Sequence, residues 1–172
     1  MRKNIAILGS TGSIGLTALS VFEKKKKDFK LQLLSANKNF HLICKQIQKY
    51  SPNYFFITDF STYEKIKKKF SKKKVKIIYN LSSLSFKKKI DITISAIPGI
   101  EGLESTLLMT KFSNKILIAN KETVICGWNL LNKVAKINKT IIIPIDSEHF
   151  SISKLIENHK LSEINKIYIT AS

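Results

Sequence analysis

The sequence has little cysteine, proline and glycine, and it lacks long hydrophobic runs. Its two cysteines, Cys44 and Cys126, are too few for a disulfide framework, and neither lies in a CxxC pair. We interpret both as small core residues and expect a reducing, cytoplasmic setting. No run of about 18 apolar residues occurs, so we expect no membrane-spanning segment and no membrane partner. With 44% hydrophobic residues among 172, the chain can still bury a core.

Arginine is almost absent, although the net charge is strongly positive. The formal net charge is +18, yet 29 of the 30 basic residues are lysine and only Arg2 is arginine. Proteins that bind nucleic acid specifically use arginine heavily, because its guanidinium matches phosphates and guanine edges. The lysines accompany 27 isoleucines and 12 asparagines, a bias typical of an AT-rich genome. We therefore expect solvated surface charge and no specific nucleic-acid partner; a basic nucleic-acid-binding module is the alternative.

Short apolar, β-branched segments alternate with segments of helical periodicity. The apolar segments predict strands at residues 4–8, 31–35, 54–58, 75–79, 92–96, 116–119 and 140–145. Between them, apolar residues recur every three or four positions, as at Phe40, Ile43, Ile47 and Tyr50. Buried strands that alternate with helices predict an α/β fold with a doubly wound, mostly parallel, Rossmann-like sheet.

The pattern changes after Ile145. A helix-like segment extends to about Asn158, and residues 164–170 read as a further strand. We therefore expect a first domain over residues 1–145 and the beginning of a second over residues 146–172. Because the chain stops where a further connection should begin, we expect it to be a fragment of a longer protein.

A glycine-rich turn follows the first predicted strand directly and begins a helix. Residues 9–15 read Gly-Ser-Thr-Gly-Ser-Ile-Gly, with the spacing GxxGxxG. Glycines here permit a tight turn and a close approach of the backbone to a pyrophosphate. The amides at the helix N-terminus then face the phosphates. The turn predicts a dinucleotide-binding site, with an ordinary strand–helix turn as the alternative.

The end of the second predicted strand carries no acidic side chain. In this fold, a carboxylate at that position binds the ribose 2′-hydroxyl of NAD. The sequence at residues 35–39 is instead Ser-Ala-Asn-Lys-Asn, in which Lys38 would attract the 2′-phosphate of NADPH. We therefore predict NADPH rather than NADH, unless Lys38 is merely one more surface lysine.

Two carboxylates, Asp146 and Glu148, lie two positions apart after the last strand of the first domain. In an extended segment such residues point to the same side, so both carboxylates can converge on one point. Oxygen donors at the carboxyl end of a strand suit Mg²⁺ or Mn²⁺. A helix N-cap with acidic residues near the helix dipole is an equally weighted alternative.

The segment Asn120-Lys121-Glu122 also follows a predicted strand. Lys121 can hold an anionic substrate, and Asn120 can bind a cofactor amide or hydroxyl. Taken alone, the segment reads as a capped helix start.

Four motifs follow one another along the chain: residues 7–15 (ILGSTGSIG), 119–122 (ANKE), 144–149 (PIDSEH) and 170–172 (TAS). In this order they resemble the 1-deoxy-D-xylulose 5-phosphate reductoisomerase family of the non-mevalonate isoprenoid pathway. The resemblance covers the whole chain. It implies an NADPH-binding domain followed by the incomplete beginning of an α+β catalytic domain. The family's third metal carboxylate and substrate-covering loop would lie beyond Ser172, so we expect the chain alone to be inactive.

The resemblance also implies roles for individual residues. Contacts to NADPH would come from Thr11, Gly12, Ser13, Ile14, Asn37, Lys38, Asn39, Asn120 and Glu122, with Asn37 replacing the family's frequent glycine. Contacts to substrate would come from Lys121, Ser147, Glu148 and Ser172. Asp146 and Glu148 would ligate a divalent cation (Mg²⁺, Mn²⁺ or Co²⁺), and with Lys121 they would form the catalytic set.

The implied activity is oxidoreductase and isomerase chemistry that depends on NADPH and on a divalent metal. The small-molecule substrate would be 1-deoxy-D-xylulose 5-phosphate, converted into 2-C-methyl-D-erythritol 4-phosphate, and the full-length enzyme would be a homodimer. Another NADPH-dependent dehydrogenase, acting on a phosphorylated or semialdehyde substrate, is the alternative. Such an enzyme would share the glycine turn but would not need residues 146–149.

Overall fold

A parallel seven-stranded sheet forms the centre of the computed structural model, which describes residues 2–168. Its strands are β1 (Lys3–Leu8), β2 (Phe29–Ala36), β3 (Tyr54–Ile57), β4 (Lys76–Ile78), β5 (Ile90–Ser95), β6 (Ser113–Ile118) and β7 (Ile141–Pro144). They lie in the order β4-β3-β2-β1-β5-β6-β7, each parallel to its neighbours. The predicted α/β fold and its seven strands are confirmed. The order reverses beside β1, which is where ligands bind in open α/β sheets.

Helices cover both faces of the sheet. They are α1 (Ser13–Lys24), α2 (Phe40–Tyr50), α3 (Phe60–Lys69), α4 (Gly102–Phe112), α5 (Lys121–Asn138) and α6 (Ser147–Ile156). Four of them begin with a side chain that accepts a hydrogen bond from the amide three residues further on: Asn39, Asp59, Asn120 and Asp146. None of the helices in the described part of the chain is both long and apolar enough to cross a membrane.

The largest core lies between α1, α2, α3 and the first strands, and a second lies beneath α4 on the opposite face. Cys44 belongs to the first core, as predicted. Cys126 is exposed, so its interpretation as a core residue is wrong. Helix α5 buries the face that carries Gly127 and Leu131, and Cys126 lies outside that face.

The chain after β7 buries few of its side chains. The Ile145 amide still donates to the Ile118 carbonyl at 2.9 Å, which continues the sheet pattern. Helix α6 buries none of its residues. Residues 164–168 form no strand, so the prediction for 164–170 is wrong over that part, and residues 169 and 170 lie outside the described chain. A strand needs a partner for its backbone groups, and residues 164–168 pair with none of the strands that the structure describes.

Truncating the chain after Ile145 should leave its thermal unfolding temperature nearly unchanged and raise its solubility. The truncation deletes α6, which buries none of its residues. It also removes three exposed apolar side chains, those of Phe150, Leu155 and Ile167. Circular dichroism melting and light scattering would measure the two effects. As a control, truncation after Asn138 also removes β7 and should lower the melting temperature strongly. A large loss of stability in the first truncation would place the domain boundary after residue 145.

Candidate functional site

The glycine turn lies at the carboxyl end of β1, where the strand order reverses. Gly9 has a φ of +78°, and a Cβ there would lie 2.6 Å from the Ala96 carbonyl oxygen. A Cβ on Gly15 would lie 2.2 Å from the Gly9 carbonyl oxygen. Only glycine therefore fits at either position. Gly12 is the N-cap of α1 and provides no side-chain hydrogen bond, and the first turn of α1 has no acidic residue. The positive N-terminal end of the helix is therefore available to bind an anion.

A cleft of about 240 Å³ opens beside this turn. The turn contributes Gly12, Ser13 and Ile14, and the segment after β6 contributes Ala119, Asn120 and Glu122. Five residues predicted to bind the cofactor thus line one cleft, and Thr11 belongs to the same turn. Residues 96–98, which follow β5, form the remaining wall of the cleft, and we did not predict them as site residues. The only feature that could have indicated them is their position at the carboxyl end of a predicted strand.

Asn120 caps α5, as the alternative of a capped helix start predicted, and it also binds the wall after β5. Its side chain is buried, and its Oδ1 accepts the Thr123 amide at 3.1 Å. Its Nδ2 donates to the carbonyl oxygens of Gly99, at 2.7 Å, and Ile97. Both N–H groups of the carboxamide are therefore used by the backbone, and only the second lone pair of Oδ1 can meet a ligand. Through these hydrogen bonds Asn120 connects the segment after β5 to the first turn of α5.

The predicted 2′-phosphate loop lies between β2 and α2, at the same edge of the sheet. Asn37 and Lys38 are exposed, and Asn39 caps α2. Asn37 has no positive φ, so asparagine causes no backbone strain there. Hydrogen bonds from Thr62 lower the pKa of the Asp59 carboxyl, and the Lys38 charge adds to this lowering. No motif in the sequence indicated Asp59, whose carboxylate would compete with a bound phosphate for Lys38.

Asp146 caps α6, as the N-cap alternative predicted. Its Oδ2 accepts the His149 amide at 3.2 Å and lies 2.5 Å from His149 Nδ1. Its Oδ1 is buried and has no hydrogen-bond partner in the described part of the protein. A buried oxygen without a donor is costly, and a cation would compensate it. The expectation of two carboxylates on one side of an extended segment is wrong, because Glu148 lies in the first turn of α6.

Local hydrogen bonds and a nearby charge act on the Glu148 carboxyl. Hydrogen bonds from its own amide and from the Ser147 hydroxyl, at 2.9 Å, lower the pKa of Glu148, and the nearby charge of Lys121 lowers it further. Lys121 follows β6, and Asp146 and Glu148 follow the neighbouring parallel strand β7, so the three lie at one edge of the sheet. No group of three or more His, Cys, Asp or Glu side chains suited to a metal occurs among the residues described. Ser172 lies outside those residues.

Proteins of one family are similar to the chain over almost its whole length. The family model described as 1-deoxy-D-xylulose 5-phosphate reductoisomerase matches residues 5–127. The protein of that name from Pelagibacter ubique (strain HTCC1062) is 44% identical over 174 residues, which are 99% of this chain and 45% of that protein. The one from Clostridium novyi (strain NT) is 38% identical over 175 residues, 99% of this chain and 46% of that protein.

A solved structure extends the similarity to three dimensions. It is a crystal structure of DOX-P reductoisomerase in complex with NADPH, fosmidomycin and magnesium, with a TM-score of 0.78 and 27% identity. The match covers 86% of this chain and 37% of that one. The chain spans about half the length of the curated relatives that it matches.

Proposed function

Because the chain belongs to the 1-deoxy-D-xylulose 5-phosphate reductoisomerase family, we propose that it supplies the NADPH-binding half of such an enzyme. The whole enzyme rearranges 1-deoxy-D-xylulose 5-phosphate and reduces the product with NADPH to 2-C-methyl-D-erythritol 4-phosphate. The observation that carries the proposal is the cleft in which Gly12, Ser13 and Ile14 meet Asn120 and Glu122. Membership of this family does not favour another dehydrogenase or a nucleic-acid-binding module.

The strand order supports a dinucleotide that crosses the glycine turn. Residues 37–39 follow β2, and residues 119–122 follow β6, on opposite sides of β1. The amides at the start of α1 would hold the pyrophosphate between them. Lys38 would bind the 2′-phosphate at one end, and Asn120 Oδ1 and Glu122 would face the nicotinamide half at the other.

The unaltered chain should bind NADPH more tightly than NADH, and Lys38→Glu should reverse much of this preference. The substitution replaces a charge-assisted contact with repulsion of the 2′-phosphate, so we expect NADPH affinity to fall by about 10- to 100-fold. NADH affinity should change little. Fluorescence titration with each cofactor measures both. Lys45→Glu, the same charge change on exposed α2 surface, is the control. Equal affinity of the unaltered chain for the two cofactors would contradict the assignment of Lys38.

We propose that Asp146 and Glu148 contribute to a divalent cation site. The buried Oδ1 of Asp146 and the lowered pKa of Glu148 support this proposal. When bound, the cation would polarise the substrate carbonyl and stabilise developing negative charge. His149 orients the Asp146 carboxylate through Oδ2, while Lys121 would attract the anionic substrate to the same edge.

This chain should bind Mg²⁺ and Mn²⁺ more weakly than micromolar. Mg²⁺ prefers octahedral oxygen coordination and keeps its water, so Asp146 and Glu148 alone form a poor site. Isothermal titration calorimetry with each chloride salt measures the affinity, and Asp146→Asn shows whether any heat comes from this site. Micromolar or tighter binding would be the contrary result and would reveal a further ligand.

We also propose that the whole enzyme acts as a cytoplasmic homodimer. The scarcity of cysteine supports a reducing compartment. Exposed apolar side chains after β7, including Phe150 and Leu155, support packing against further protein. Size-exclusion chromatography with light scattering of the full-length enzyme tests the dimer, and a monomer would refute it.

A further inference from the structure

A polar side chain is buried on the core face of α2. Gln46 is 4% exposed and lies on the same helix as Ile43 and Ile47, which belong to the main core. A carboxamide at such a position is destabilising unless both of its polar atoms are hydrogen-bonded. Nothing in the sequence analysis pointed to Gln46, since glutamine is common on exposed helix surfaces.

Both polar atoms of Gln46 bind Ser10, the second residue of the glycine turn. Gln46 Oε1 accepts the Ser10 hydroxyl at 2.6 Å, and Gln46 Nε2 donates to the Ser10 carbonyl at 2.8 Å. The Ser10 hydroxyl has one proton and two acceptors within reach, Gln46 Oε1 at 2.6 Å and the Ser35 carbonyl oxygen at 2.9 Å, and Gln46 is the nearer of the two. The Ser35 carbonyl also accepts the Ser10 amide at 2.7 Å. Ser10 is completely buried, so this pair lies behind the turn rather than in the cleft.

The same helix carries the other anion-binding element. Helix α2 is capped by Asn39, and Lys38 directly precedes the cap. Gln46 lies about two helical turns further on. A rigid helix thus connects the pyrophosphate turn, through Ser10, to the loop that would bind the 2′-phosphate. The turn is also tied to the end of β2, because the Gly9 amide donates to Ser35 Oγ at 2.9 Å.

We propose that Gln46 is a positioning residue for cofactor specificity: it fixes the distance between the glycine turn and the Lys38 loop, so that a cofactor with a 2′-phosphate binds both at once. The inference rests on the proposed NADPH function. A cofactor without the 2′-phosphate makes no such contact with Lys38, so its binding depends less on that distance. Gln46 therefore contributes to the preference for NADPH over NADH without touching either cofactor.

The test compares Gln46→Leu with Ile47→Ala in the full 172-residue chain. Both substitutions lower stability from the same buried helix face, but only the first removes the bonds to Ser10. By fluorescence titration, Gln46→Leu should lower NADPH affinity about tenfold or more and NADH affinity less, so that the preference shrinks. Ile47→Ala should leave the ratio of the two affinities unchanged at temperatures where it is folded.

Two further variants keep the proposal falsifiable if Gln46→Leu does not fold. Ser10→Ala should reduce the preference, because it removes the hydroxyl that donates to Gln46 Oε1. Gln46→Glu should lower NADPH affinity at neutral pH and recover towards the unaltered chain at lower pH, when the protonated acid again donates to the Ser10 carbonyl. An unchanged NADPH-to-NADH ratio in these variants would overturn the proposal. Absence of NADPH binding by the unaltered chain would instead refute the proposed function.

Discussion

Gly15→Ala should abolish measurable NADPH binding and lower the stability of the whole domain. The new methyl group would lie 2.2 Å from the Gly9 carbonyl oxygen and 2.6 Å from Ser10 Cα. These are backbone atoms, and the turn that carries them is held by bonds to Ser35, so α1 must move away from the turn. We expect a loss of NADPH affinity of more than about 100-fold, because the amides at the start of α1 would no longer face the pyrophosphate.

Gly12→Ala is the matched control for the steric argument. A Cβ at Gly12 would lie 3.5 Å from the Gly9 carbonyl oxygen, an ordinary contact, and its φ is −80°. This variant should therefore melt close to the unaltered chain, although it lies in the cleft. Melting and NADPH titration together separate the two effects. If Gly15→Ala bound NADPH like the unaltered chain, the geometry of the turn would not be essential.

Asp146→Asn should lower the kcat of the complete enzyme about 1,000-fold while leaving its NADPH affinity unchanged. Asparagine caps a helix as well as aspartate does, so α6 should survive. The substitution removes a charged ligand of the cation. A bound metal supplies several kcal/mol of charge stabilisation, and losing it would lower the rate about 1,000-fold. The cofactor cleft does not include Asp146.

The kcat of Asp146→Asn can be measured in a chimaeric enzyme. Residues 1–172 are joined to the remaining length of the Pelagibacter ubique relative, and NADPH oxidation is followed with 1-deoxy-D-xylulose 5-phosphate. Glu157→Gln removes an exposed carboxylate from the far end of α6 and should leave kcat unchanged. Retained turnover in Asp146→Asn, or a parallel loss of NADPH affinity, would show that Asp146 does not act through the cation.

The sequence predicted the sheet well because its strands are short and apolar on both sides. Residues 116–119, for example, are apolar at every position, and Ile116 and Ile118 are completely buried. The glycine turn could also be predicted from the sequence, because Gly9 and Gly15 occupy positions where a side chain would clash with the backbone. Asn120 and Glu122 were placed correctly at the edge of the sheet because they follow a strand.

What the sequence could not show depends on contacts between distant segments. Residues 96–98 form a cleft wall only because β5 pairs with β1. Asp59 lies near Lys38 only because β3 pairs with β2. Gln46 has no local pattern that distinguishes it from a surface glutamine. The predicted strand at 164–170 failed for the opposite reason: its composition was suitable, but residues 164–168 have no neighbouring strand.

The position of β1 also determines the order in which the protein can assemble during synthesis. Its partner β2 follows closely, but its other partner, β5, is far along the chain: the Asn4 amide bonds the Asp91 carboxylate across 87 positions. At about 5–20 residues per second, the ribosome needs several seconds to make that interval. During this time the central strand of the finished sheet is an edge strand, open to mispairing. The same late strand brings residues 96–98, so a nascent chain gains its complete cofactor cleft only after β5 has docked and α5 has begun to form.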